Sequence, residues 1–103
     1  MSVVGDVIKE EYNRLTSLIE MYDKKIAECV KGSLSLKKRR ENAYYYLAYR
    51  ENNKVIFRYI GKDGSPQVQE YIIEIEKRHK YEEMRKKSNE NLKEIRKLLR
   101  ASK

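Results

Sequence analysis

The sequence predicts an α+β fold: a long N-terminal helix, a three-stranded antiparallel β-meander and a long C-terminal helix, with the helices pairing in coiled-coil fashion. Three observations carry that prediction. Apolar residues recur in steps of four and three from Ile8 to Cys29. The middle third then switches to alternation with period two. A Ser65-Pro66 pair restarts helical spacing after a glycine turn. At 103 residues the chain has room for one small domain, residues 1–103, divided into a helix at 6–31, a meander at 33–61 and a helix at 65–100.

The first helix follows from Ile8, Tyr12, Leu15, Ile19, Tyr22, Ile26 and Cys29, which fill every a and d position of a heptad seam. Asp6 suits the N-cap, Glu10 and Glu11 lie near the positive end of the helix dipole, and Gly32 suits the left-handed residue that stops a helix. The meander follows from GSLSLKK, NAYYYLAYR and KVIFRYI, rich in the β-branched and aromatic residues that strands favour. Asn52-Asn53 suits a two-residue hairpin turn because asparagine tolerates positive φ. A second tight turn is expected near Glu41-Asn42. In the last helix Ser65 is placed as N-cap and Pro66 at the first helical position. Its stripe runs through Val68, Tyr71, Ile72 and Ile75, shifts to Tyr81 and Met84, and resumes at Leu92, Ile95, Leu98 and Leu99. The intervening KKSNEN is too polar for a continuous seam, so a weak or bent middle is expected there, with the last third projecting or pairing with another chain.

Charge is unevenly placed. Residues 1–30 carry four basic and six acidic side chains, residues 31–62 nine and two, and residues 63–103 eleven and eight. Most of the net +8 therefore falls on the segment that also holds five of the nine tyrosines. Counting out from the two turns places Tyr46 opposite Tyr59, Arg50 opposite Val55, Arg39 near Tyr44 and Lys37 near Tyr46. One sheet face then carries Lys37, Arg39, Tyr44, Tyr46, Arg50, Phe57 and Tyr59. The other carries Leu34, Leu36, Tyr45, Leu47, Tyr49, Ile56 and Ile60, with Arg58 as the exception, and should pack on the helices. A one-residue slip in either turn would exchange the faces.

A face of interleaved rings and cations is what polyanion binding needs, since the rings stack on bases and the cations meet phosphates. The candidate contacts are Lys37, Arg39, Arg40 and Arg50 for phosphates, and Tyr44, Tyr46, Phe57 and Tyr59 for bases or sugars. The partner is then DNA or RNA. The same surface also suits an acidic or nucleic-acid-handling protein. Two plainer readings stand beside these: a tyrosine ladder that only stabilises the sheet, and a homodimer through the helix seams.

No catalytic constellation emerges, and the chain is expected not to be an enzyme. His79 is the only histidine and sits among Lys77, Arg78 and Lys80 as a boundary residue. One cysteine, Cys29, supplies neither a zinc site nor an internal disulfide, which fits a reducing cytoplasm. Glu20 with Lys24, Glu82 with Lys86 and Glu90 with Lys93 are spaced as helix-face ion pairs. GKDG at 61–64 is too short for a phosphate loop. No cofactor or metal is expected, and no stretch approaches the roughly 20 apolar residues of a membrane span.

The segments GSLS at 32–35, YYYL at 44–47, YR at 49–50 and RYIGK at 58–62 resemble a group of small, functionally uncharacterised bacterial proteins found on mobile elements. Those proteins set a tyrosine-rich hairpin between two charged helices. The resemblance implies a plasmid, phage or integrated-element setting, where small basic proteins bind nucleic acid or host nucleoprotein machinery. Anti-CRISPR inhibitors are one such class and form the alternative. It carries no catalytic residues.

Overall fold

A computed structural model describes residues 3–101. In chain order these form α1 (Val3–Glu28), β1 (Ser33–Arg39), β2 (Asn42–Glu51), β3 (Lys54–Lys62) and α2 (Pro66–Ala101). They divide into two compact units, one of α1 with α2 from His79 onward, the other of Cys29–Arg78.

In the helical unit α2 runs back beside α1. The Tyr22 and Tyr81 rings lie 6.3 Å apart, and Arg85 Nη1 donates to Asp23 Oδ1 at 2.8 Å. The α1 stripe behaves as its heptad spacing predicts: Leu15 is buried, and Ile8, Tyr12, Ile19, Tyr22 and Ile26 are partly covered. On α2 the expected interruption does not occur. The helix is unbroken through KKSNEN, and its covered stripe runs Tyr81, Arg85, Ser88, Leu92, Ile95, Leu99 in alternating heptad steps of four and three. Ser88 is only 7% exposed, while Met84 and Leu98, assigned to the stripe from sequence, face outward. A small hydroxyl and the aliphatic stem of an arginine fill two heptad positions that a count of apolar residues leaves blank.

Both ends of α1 differ from expectation. The helix begins by Val3, so Asp6 lies inside its first turn, where its carboxylate still meets the positive dipole end. It stops at Glu28, four residues before Gly32, and Cys29 is buried in the other unit. Gly32 serves the sheet instead. At φ +100°, a Cβ there would lie 2.4 Å from the carbonyl oxygen of Ala48 on β2.

The other unit is a meander of order β1-β2-β3 with the first three turns of α2. Asn52 and Asn53 turn the second hairpin at φ 51° and 65°, as a two-residue type I′ turn demands. The first turn is Arg40-Glu41, with Arg40 at φ 57°, one position earlier than expected. Arg39 therefore pairs with Asn42, Lys37 with Tyr44 and Ser35 with Tyr46. Each expected β1 partner moves by two residues, and a two-residue shift keeps every side chain on its assigned face.

The inner face holds buried Leu47 and half-covered Leu34, Tyr45, Tyr49, Ile56 and Ile60, with Val68 and Ile75 of α2 completing the core. Leu36 was expected beneath the sheet but is 43% exposed, because it lies on an edge strand. Gly61 brings β3 onto the start of α2; a Cβ there would meet Ser65 Oγ at 2.6 Å and Val68 at 3.3 Å. Ser65 does precede the helix, yet its buried Oγ makes no hydrogen bond among the described residues, so it caps by position alone. Arg58, a cation of the inner face, donates to the Tyr71 hydroxyl and lies over that ring at 5.8 Å. Among the described residues no helix is long and apolar enough to cross a membrane.

Candidate nucleic-acid interface

The outer face is built by alternation. Strand pairing sets Arg50 opposite Val55, Ala48 opposite Phe57 and Tyr46 opposite Tyr59, so these side chains leave the sheet on one side with Lys37 and Tyr44. The rings gather there. Tyr59 lies 5.5 Å from Tyr46, edge to face, and 6.3 Å from Tyr44. Phe57 and Tyr59 are 52% and 54% exposed, high values for residues in a sheet.

Lys37 joins this cluster from the edge strand. Its Nζ lies 5.1 Å from the Tyr46 centroid and 5.1 Å from that of Phe57, two strands away. The reach is allowed by small neighbours: Ser35 stands opposite Tyr46, and Ala48 opposite Phe57. An ammonium over the negative faces of two rings is a shared cation–π contact.

Toward the first turn, Arg39, Arg40, Asn42, Tyr44, Tyr46 and Tyr59 line one shallow concavity of about 390 Å³. The left-handed φ of Arg40 belongs to the turn that forms its rim. Of the eight residues singled out from sequence, seven therefore belong to this connected surface. Arg50 stands apart. It is exposed near the Asn-Asn turn and lines a separate hollow with Val30, Lys31, Gly32, Leu47, Tyr49, Glu51 and Arg58.

Sequence reasoning missed Lys62. A bulge lies between Tyr45 and Tyr46: Tyr46 pairs with Tyr59, but Tyr45 pairs with Gly61 and Tyr44 with Lys62. The extra residue on β3 reverses the alternation beyond it and puts Lys62 on the face with Tyr44. The one available signal was Gly61, since glycine within a strand often marks a bulge or a close approach. Asn42 and Ser35 were also passed over, because neither is aromatic nor charged. Among the described residues no three His, Cys, Asp or Glu side chains group closely enough to hold a metal ion.

The family model for a domain of unknown function, DUF6788, matches residues 4–70, and the chain belongs to that family. The match covers α1, the whole sheet and the start of α2. No curated protein and no solved structure matches the chain.

Proposed function

We propose that this family member binds nucleic acid through the outer face of its sheet, without catalysis. The observation that carries this reading is the interleaving of exposed rings and cations: Lys37 over Tyr46 and Phe57, with Arg39 and Arg40 rimming the Tyr44–Tyr46–Tyr59 hollow. A ladder serving only stability has no need to leave Phe57 and Tyr59 half exposed beside exposed positive charge. Phosphates neutralised by Lys37, Arg39, Arg40, Arg50 and Lys62 would supply affinity, and the rings would contact bases or sugars. A mobile-element setting belongs to the same reading. Titration with a labelled mixed-sequence oligonucleotide at low salt tests it: binding that weakens steeply as salt rises is expected, and an absence of binding at low salt would remove the idea.

A second reading has its own support in Val55 and Phe57, exposed apolar side chains at the unpaired edge of the sheet. There the face docks on a protein of a nucleic-acid-handling complex, as an anti-CRISPR inhibitor would. Stoichiometric binding to such a protein after nuclease treatment, insensitive to salt, favours this reading over the first.

A further inference from the structure

Resting on the nucleic-acid reading of this face, we infer that its ligand is single-stranded, and that Lys37 is a built-in stand-in for a base. Two features lead there. The first is where the exposed aromatic surface lies. Phe57, Tyr59 and Tyr46 rise from a sheet, and a ring on a sheet stacks only on a base whose own face is open. Bases inside a duplex have both faces covered by their neighbours, whereas unpaired bases splay onto such rings. A duplex would meet the rim cations and leave the rings idle.

The second feature is the position of Lys37. In the free protein its ammonium lies over two of those rings, 5.1 Å from each centroid. A base stacking on Tyr46 or Phe57 must displace it. The long side chain then swings toward the phosphates of the same strand, exchanging a cation–π contact for an ion pair. Serine and alanine at positions 35 and 48 leave the floor open for that exchange.

The test compares three labelled ligands of one mixed sequence, about 15 nucleotides long to span a typical single-strand site. They are single-stranded DNA, single-stranded RNA and the DNA duplex, read by fluorescence anisotropy with the full chain. At least one single strand is expected to bind tighter than the duplex by about tenfold or more, and Phe57→Leu to weaken that binding roughly 5- to 160-fold. Tyr59→Phe keeps a stacking ring and should retain the affinity. Lys37→Met should weaken duplex binding more than single-strand binding, because only the single strand gains from uncovered rings. An unchanged far-ultraviolet circular dichroism spectrum shows that each variant is folded. A duplex bound as tightly as both single strands, or Phe57→Leu weakening all three ligands equally, would overturn the inference while leaving nucleic-acid binding intact. No binding to any of the three would instead bring down the nucleic-acid reading itself.

Discussion

Two glycines with positive φ separate the cost of backbone conformation from the cost of crowding. Gly64, at φ +84°, has nothing within 4 Å of a Cβ built on it, whereas a Cβ on Gly32, at φ +100°, would lie 2.4 Å from the Ala48 carbonyl oxygen and 3.1 Å from Tyr49 Cβ. Gly64→Ala therefore carries only the strain of the left-handed region, about 1–3 kcal/mol, partly offset by about 0.4–1 kcal/mol from a less free unfolded chain. Gly32→Ala carries the same terms and adds overpacking against a central strand, about 1–3 kcal/mol more. Converted at about 4–8 °C per kcal/mol, Gly64→Ala should melt up to about 21 °C below the parent, and Gly32→Ala lower again by about 4–24 °C. Thermal unfolding followed by far-ultraviolet circular dichroism reads both. Because Gly32 leads into the strand that carries Lys37, a shift of β1 should also weaken oligonucleotide binding, while Gly64→Ala leaves it unchanged. Equal melting temperatures for the two variants would mean that β1 is not held close to Ala48, and the reasoning would fail.

Three further outcomes follow from other parts of the molecule. Ser88→Leu improves the heptad pattern on paper but overfills a covered position, so it should destabilise by about 1–3 kcal/mol in urea unfolding while Ser88→Ala is tolerated; a more stable leucine variant would contradict the packing described. If Lys37, Arg39, Arg40, Arg50 and Lys62 each neutralise one phosphate of a single strand, log affinity against log salt should fall with a slope of about −3.5, and replacing Arg39 and Arg40 by methionine should reduce it to about −2.1. Hydrogen bonds from the Arg14 guanidinium hold the Glu11 carboxyl below its ordinary pKa. A depressed pKa in the folded state means this pair helps the helix above the ordinary carboxylate range and loses its effect as pH falls through the lowered value. Arg14→Met should raise the Glu11 pKa in a carboxyl NMR titration, and an unchanged value would show that the pair does not persist in solution.

The α1 seam was legible because apolar side chains occupy every heptad position from Ile8 to Ile26. The matching seam on α2 was not, because Arg85 and Ser88 read as polar although a stem and a small hydroxyl can both be covered. The Asn-Asn turn was legible from residues that tolerate positive φ. Arg40 carries no such signal, so the first turn was misplaced by one position. The outer face survived that error because the turn moved symmetrically and shifted the register by an even number of residues. Seven of its chosen members do cluster, and Arg50 does not, because pairing fixes which face a residue leaves from but not where a long side chain goes.

The irregularity near Tyr45 gives β3 one residue of slack in length. Removing Ile60 would let β3 run in regular register with Gly61 still opposite Tyr45 and Lys62 still opposite Tyr44, whereas one residue more lost from the strand would send Lys62 beneath the sheet. A second codon lost at that point would thus cost the outward surface a positive charge with every basic residue still present in the chain. A deletion in the Asn52-Asn53 turn would exchange the faces of the third strand entirely, so among relatives this turn should vary only among residues that tolerate positive φ and hardly at all in number.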